Sequence, residues 1–403
     1  MMKVLIADKF EKVGIDGLRE LQCNVNYQPD VSAAELPGLI RQFDPKILIV
    51  RSKKVNAAAL EAGPGLGLVI RAGAGIDTID VAAASRLGVF VSNCPGKNSI
   101  AVAELVLGLV LSLDRRIADQ VADLRNGVWN KTDYSKARGL HGRTLGIVGL
   151  GQIGREIAVR AQAFGMRVVA WSRQLTTEDA TRLAIGYCQT PIEVAQQSDI
   201  ISLNVAGTDE TRHLVNQAFL EAMRPGAFLI NTARGTVVDE AALAEAVRTR
   251  GLRAGLDVYD HEPGAGKAEF RPTIIDLPGV YGTHHVGAST EQAQVAIAHE
   301  VIRIVQEFQK TGGVPNCVNR LAKSSATHVL NVRHENRPGV LAHVFTVLAS
   351  ADINVEEVEN IIYHGAQATL ARVHLSGSPD QATIDLIRTG NPHILSAEVR
   401  PID

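Results

Sequence analysis

The hexapeptide Gly149-Leu150-Gly151-Gln152-Ile153-Gly154 constrains this chain more than any other stretch of its 403 residues. An apolar strand-like run, Leu145–Val148, precedes it. A helical pattern and a second strand-like run, Arg167–Trp171, follow. In that setting the first glycine permits a tight turn and the second lets backbone approach a pyrophosphate. Phosphate charge then meets the N-terminus of the helix. A dinucleotide-binding βαβ unit is therefore expected, with Gly149, Gly151, Gln152, Ile153 and Gly154 against the cofactor. A ribose-binding carboxylate belongs about 20 residues further on. Ser172-Arg173 stands there instead, and no acid appears before Glu178. Arg173 suits a 2′-phosphate as well as it suits solvent, so NAD and NADP both stay open.

Around this unit, short apolar runs alternate with helical patterns. Val4–Ala7, Ile47–Val50, Leu68–Ile70 and Val89–Val91 read as buried parallel strands, with helices near Lys12–Leu21, Ala33–Gln42 and Val55–Ala62 between them. One long apolar helix is predicted from Ser99 to about Asp119. The later strands Asp199–Leu203, Ala227–Asn231, Arg253–Asp257 and Val280–Thr283 continue the second series. Ser289-Thr290-Glu291-Gln292 has the form of a capping box and opens a helix reaching Lys310, stopped by Gly312-Gly313. A Pro, Asn, Lys and Ser-rich stretch then reads as a linker. Beyond it the strand and helix patterns run in βαββαβ order. The expected fold class is α/β: two Rossmann-like or flavodoxin-like doubly wound domains, followed by a C-terminal ferredoxin-like domain.

Charge narrows the function. Lys+Arg 41 against Asp+Glu 43 leaves −2 overall, which argues against a nucleic-acid binder or a basic membrane-surface protein. The four cysteines, Cys23, Cys94, Cys188 and Cys317, form no CxxC pair, so no structural metal or disulfide framework is expected. The N-terminal apolar stretch is short and broken by Asp8, and the chain is expected to be cytoplasmic.

Three strand ends carry chemistry: Thr232-Ala233-Arg234-Gly235, Asp257-Val258-Tyr259-Asp260-His261-Glu262-Pro263, and His284-His285-Val286-Gly287. Ligands of doubly wound sheets bind beyond the carboxyl ends of strands, so these segments should converge. A histidine can move the proton of a 2-hydroxy acid while hydride passes between C2 and a nicotinamide. A neighbouring carboxylate orients the imidazole, and an arginine fork grips the substrate's oxygens. A metal hydrolase built on His284, His285 and Glu262 lacks HExxH or comparable spacing.

Over about its first 315 residues the chain resembles the D-2-hydroxyacid dehydrogenase family, through Gly149–Gly154, Asn231–Gly235, Asp257–Pro263 and His285-Val286-Gly287-Ala288-Ser289-Thr290. The resemblance implies NAD as cofactor and Arg234, Glu262 and His285 as the catalytic set. Thr232, Ala233, Asp257 and Gly287 join Ser172 and Arg173 around the dinucleotide, with Asp257 toward the nicotinamide carboxamide. It also implies a discontinuous substrate domain, residues 1–97 and 285–316, around a nucleotide domain of residues 98–284. Residues 317–326 are the expected linker. Family patterns depart at His284, where proline is usual, and at Asn204-Val205-Ala206, which lacks the usual proline.

The tail, residues 327–403, resembles an ACT domain through His334-Glu335-Asn336-Arg337-Pro338-Gly339-Val340-Leu341. That pairing is found in the phosphoglycerate dehydrogenase branch of the family. The resemblance implies a serine-like effector held by His334, Asn336 and Asn354. It also implies a substrate, 3-phosphoglycerate or a related 2-hydroxy acid, facing Arg51, Arg71, Ala74, Gly75, Asn98 and Arg234. A homodimer or homotetramer is expected, with neither nucleic acid nor membrane as partner. A glyoxylate/hydroxypyruvate reductase is the rival within the family, made more attractive by Ser172-Arg173. A non-catalytic, dinucleotide-sensing corepressor-like module is the rival outside it.

Overall fold

The computed structural model describes residues 1–263, 267–321 and 324–402. Its first sheet is parallel and comprises β1 (Lys3–Ile6), β2 (Asn24–Tyr27), β3 (Ile47–Val50), β4 (Leu68–Arg71) and β5 (Phe90–Ser92), in the order β2-β1-β3-β4-β5. The apolar runs are buried on both faces, as parallel strands require. Leu5, Leu48, Val50, Val69 and Val91 pack on one side with Leu36, Ile40 and Leu60. Val4, Ile6, Ile47, Ile49 and Ile70 pack on the other with Ile15, Leu18 and, from far along the chain, Ile297, Val301 and Ile304.

A second, seven-stranded parallel sheet contains β6 (Thr144–Val148), β7 (Arg167–Trp171), β8 (Gly186–Tyr187), β9 (Ile200–Leu203), β10 (Phe228–Asn231), β11 (Arg253–Leu256) and β12 (Val280–Gly282). Their order is β12-β11-β10-β9-β6-β7-β8. Strand order reverses between β6 and β9, which opens a crevice at their carboxyl ends. The helix Glu291–Thr311 then carries the chain back onto the first sheet, and Gly312 ends it in a left-handed conformation at φ 73°. Both sheets lie in one compact unit, Met1–Asn319.

Residues from Arg320 onward form a second unit. Here β13 (His328–Glu335), β14 (Val355–Ile362), β15 (Ala368–Leu375) and β16 (Ile394–Pro401) make an antiparallel sheet in the order β14-β15-β13-β16. The helices Val340–Ser350 and Gln381–Thr389 cover one face through Val340, Val344, Leu348 and Ile387. This is the ferredoxin-like arrangement.

Three local expectations are corrected, and two strands are added. The helix from Ser99 stops at Arg115, because Arg116 turns left-handed (φ 52°), and a separate helix, Ile117–Arg125, follows. Thr290, not Ser289, caps the return helix, accepting from the Ala293 N–H at 3.2 Å. Two edge strands, β2 and β8, lack an apolar pattern and are held by pairing with β1 and β7. Cys317–Asn319 are not free linker: the Val318 N–H donates to the Val91 carbonyl at 2.8 Å, and the Asn319 side chain accepts from the Val91 N–H at 2.9 Å. Residues 322–323, within the expected linker, lie outside the described residues.

No disulfide forms among the described residues. Cys23, Cys94 and Cys188 are buried, and burial pushes their thiols up, Cys94 to about 12 and Cys188 to about 11. Among the described residues no helix is long and apolar enough to cross a membrane.

Candidate active site

The three glycines after β6 serve three different needs. Gly149 has φ 99°, and an added Cβ would lie 2.6 Å from the Asn204 carbonyl oxygen at the end of β9. A Cβ on Gly154 would lie 2.5 Å from the Gly149 carbonyl oxygen, so the helix could not approach its strand. At Gly151, by contrast, a Cβ would enter open space. The helix Gln152–Ala163 begins there without a side-chain cap, which leaves its first N–H groups available to an anion. An open cradle beneath an uncapped helix fits a dinucleotide pyrophosphate. Exposed Gln152 abuts Gly96 from the crossing segment, and Ile153 is half-buried.

At the ribose end, Ser172 and Arg173 follow β7 directly. Arg173 is exposed and pairs with Glu210 at 3.1 Å. On the other side of the crevice, the Thr232 hydroxyl is buried without a partner, an unmet hydrogen-bonding capacity that a cofactor group would satisfy. The Asn231 side chain shapes this turn, accepting from the Ala233 N–H at 3.0 Å and donating to the Arg234 carbonyl at 2.9 Å.

The next strand end carries Asp257, only 1% exposed. Its carboxylate accepts from the Thr283 hydroxyl at 2.6 Å and from the N–H groups of Val286 and Gly287, both at 2.9 Å. Its carbonyl takes the His285 N–H at 2.7 Å. Asp257 thus builds the loop that presents His285, whose own φ of 53° is unusual for a residue with a side chain. Gly235 admits a second close approach: an added Cβ would strike the Tyr259 carbonyl, so only glycine lets the Arg234 turn lie against the Glu262 loop.

These constraints bring the histidine and the acid together. His285 Nδ1 lies 2.6 Å from Glu262 Oε1. Burial alone would raise the Glu262 carboxyl. The bond to His285, its charge, the Tyr259 backbone and the Arg234 charge outweigh burial and hold it below the usual carboxylate range. An ionised Glu262 accepts, so Nδ1 carries the hydrogen and Nε2 keeps a lone pair. His284, the adjacent candidate, is exposed and makes no such pair.

Arg234 reaches across to the first sheet. Its Nε and Nη2 donate to Asp77 Oδ2 at 2.9 and 2.5 Å, and its Nη1 donates to the Ala233 carbonyl at 2.6 Å. The turn after β4 lies beneath it: a Cβ on Gly75 would strike the Arg234 guanidinium, and one on Gly73 the Arg71 guanidinium. Arg71 is largely buried, and its Nε has no partner. Burial lowers its pKa, as do the charges of Arg234 and Arg51, while Asp77 opposes them. Three cations therefore share one neighbourhood. Arg51 Nη2 also reaches Ser289 Oγ at 3.3 Å, on the loop that begins at His285. Ala74 and Gly75 are half-buried, and no acceptor among the described residues takes either N–H. Asn98 Oδ1 is buried and unpartnered. Asp77 and Asp8 (which caps the Arg51 segment) were not expected as site residues. An acid directly after a strand or glycine turn is the only sequence signal either offers.

In the C-terminal unit, His334, Asn336 and Asn360 line a cleft of about 350 Å³ with Arg337, Pro338 and Gly339. His334 is 2% exposed and bonds the Glu335 carbonyl at 2.7 Å through Nδ1 and Thr369 Oγ1 at 3.3 Å through Nε2. Asn354 stands apart from this cleft within one chain. Asn336 bonds Ala366 and Gln367, before β15, whereas the Asn354 N–H bonds Ser376, after it. Eight residues of strand separate those points, about 25 Å.

Residues 107–287 match the D-isomer specific 2-hydroxyacid dehydrogenase, NAD binding domain, and residues 328–359 match the ACT domain. Hydroxypyruvate reductase of Thermotoga maritima is 40% identical over 280 residues, 69% of this chain and 88% of that protein. D-3-phosphoglycerate dehydrogenase of Methanocaldococcus jannaschii is 35% identical over 321 residues, 79% of this chain and 60% of its own length. The chain spans between 54% and 60% of the phosphoglycerate dehydrogenases it matches. The crystal structure of the TT0316 protein from Thermus thermophilus superposes with a TM-score of 0.71 at 32% identity, covering 79% of this chain and all of that one. With relatives matched over nearly their whole length, and the cofactor cradle and the arginine, acid and histidine gathered at one crevice, this chain belongs to the D-isomer specific 2-hydroxyacid dehydrogenase family.

Proposed function

We propose that the protein is a D-3-phosphoglycerate dehydrogenase, interconverting 3-phosphoglycerate and 3-phosphohydroxypyruvate at the entry to serine synthesis. The observation that carries this reading is the pair Arg71 and Arg234 over the Gly73–Gly75 turn, with the charge of Arg51 felt at Arg71 and that of Arg234 at Glu262 of the Glu262–His285 pair. An acid bearing both carboxylate and phosphate needs such a concentration of guanidinium groups. In this reading residues 1–97 and 285–316 take the substrate, and residues 98–284 take the dinucleotide.

Bound dinucleotide supplies the hydride acceptor in oxidation and the donor in reduction. Gly151 and the uncapped helix behind it would hold its pyrophosphate, and the buried Thr232 hydroxyl would face the nicotinamide side. Arg234 aligns the substrate carboxylate and C2 oxygen with its free N–H groups, while Asp77 fixes the guanidinium plane. The Ala74 and Gly75 N–H groups and Asn98 complete the grip on the carboxylate end. Arg51 and Arg71 face the phosphate. As the C2–H bond breaks, His285 Nε2 takes the hydroxyl proton, and Glu262 stabilises the imidazolium that results. Reduction returns that proton to the carbonyl oxygen.

Two further roles belong to this proposal. The cleft of His334 and Asn336 takes an amino-acid effector such as serine. The helix Ile117–Arg125 buries none of its residues, and Ile117, Leu124, Val128 and Trp129 are exposed, which supports a homo-oligomer. A second reading, glyoxylate/hydroxypyruvate reductase, is favoured by Ser172-Arg173 at the ribose end. Turnover of 3-phosphoglycerate and its oxo acid, against glyoxylate and hydroxypyruvate, each with NAD(H) and NADP(H), separates the two. Preference for unphosphorylated acids overturns the proposal.

A further inference from the structure

The segment that carries Arg51 is held by one carboxylate. Asp8 stands just beyond the end of β1, and residues 51–53 leave the end of its neighbour β3. Asp8 Oδ2 accepts from the N–H groups of Arg51 at 2.8 Å, Ser52 at 3.0 Å and Lys53 at 2.9 Å. Its Oδ1 lies 3.4 Å from the Ser52 hydroxyl. Three successive N–H groups converging on one oxygen form a nest, a backbone shape organised by the anion at its centre. Lys53 Nζ ties the far side of the segment to the carbonyls of Pro29 and Val31.

The nest has a direction. Asp8 engages the backbone of this segment, and no bond joins its carboxylate to the Arg51 guanidinium, which instead reaches Ser289 Oγ at 3.3 Å. Without the carboxylate, three N–H groups lose their shared acceptor and the segment can turn to find others. A displacement of about 1 Å in a guanidinium is enough to spoil its grip on an oxyanion.

We propose that Asp8 is a positioning residue for substrate selection: by organising the Arg51–Lys53 backbone it aims Arg51 at the anionic end of the substrate, and so sets the preference for phosphorylated over unphosphorylated acids. This inference rests on the phosphorylated-acid reading above. It deepens that reading by naming a group that acts through Arg51 without touching substrate.

The test is steady-state reduction of the phosphorylated 2-oxo acid and of hydroxypyruvate by the full-length protein, with dinucleotide Kd measured by fluorescence. Arg51→Ala tests the underlying reading and should raise KM for the phosphorylated acid by about 10- to 100-fold, the range for a lost charged hydrogen bond, with little change for hydroxypyruvate. Asp8→Ala should reproduce that selectivity at about tenfold, with kcat and dinucleotide Kd nearly unchanged. Asp8→Asn keeps an accepting oxygen and should recover part of the loss. If Arg51→Ala discriminates but Asp8→Ala moves both substrates equally or neither, the role of Asp8 is overturned and the phosphorylated-acid reading stands. If Arg51→Ala does not discriminate, the reading itself fails. Should Asp8→Ala not fold, Asp8→Asn decides by the same criterion: a selective rise of about threefold supports the proposal, and an equal or absent change overturns it.

Discussion

Glu300 links the return helix to the first crossing between the two sheets, and its removal has a calculable effect. The side chain is 7% exposed. Its carboxylate accepts from Arg303 at 2.6 and 3.1 Å and from Asn316 at 2.8 Å, and it pairs with Lys97 at 3.3 Å. Asn316 also donates to the Asn93 carbonyl at 3.2 Å. The Arg303 bond is the largest influence; with Asn316 and Lys97 it overcomes burial and holds the carboxyl at about 2, against 4.5 ordinarily. At about 1.4 kcal/mol per unit, the ionised form contributes roughly 3 kcal/mol to folding near pH 7. Because the folded-state pKa is lowered, that contribution is complete above about pH 4.5 and disappears as pH falls toward 2. Glu300→Gln removes the charge and keeps the size. Urea unfolding at pH 7 should show a loss of about 3 kcal/mol, and the gap from the unaltered protein should narrow to about 1.4 kcal/mol near pH 3. A gap that does not change with pH, or one below about 0.5 kcal/mol at pH 7, refutes the reasoning.

His285→Ala should lower kcat by about 10²- to 10⁴-fold while dinucleotide Kd stays constant; unchanged turnover removes the acid/base role. Glu210→Gln releases the exposed Arg173, so NADPH should bind about two- to fivefold tighter by fluorescence titration with NADH unaffected. An equal change for both dinucleotides places Arg173 away from the 2′-phosphate. Gly235→Ala should cost about 1–3 kcal/mol in a denaturant melt, because its Cβ meets the Tyr259 carbonyl. Asn336→Ala should weaken serine binding by about tenfold in calorimetry, and equal binding rejects that cleft as the effector site.

Legibility in the sequence followed burial and local geometry. The inner strands of both sheets show because parallel strands covered on both faces must be continuously apolar, as Ile47–Val50 and Ile200–Leu203 are. Asn24–Tyr27 and Gly186–Tyr187 are edge strands held by backbone pairing, and pairing leaves no side-chain pattern. The break at Arg116 was hidden because Ile117, Val121 and Leu124 continue an apolar rhythm without a core beneath them. Gly149–Gly154 and the Arg234, Glu262 and His285 segments were legible because each has a local requirement. Asp77 and Asp8 find their partners 157 and 43 or more positions away, so only the folded chain reveals what they hold. Asn354 is likewise placed only by folding: its N–H bonds Ser376, at the end of β15 opposite to Asn336.

The sequestered thiols have a practical consequence. Cys23 and Cys94 report on the first sheet and Cys188 on the second, and in the native state each is both inaccessible and protonated. An alkylating reagent at neutral pH therefore modifies them only during transient opening. Peptide-resolved labelling over time would give an opening rate for each half of the Met1–Asn319 unit without any engineered probe. Comparing those rates with and without dinucleotide would reveal which half the cofactor steadies.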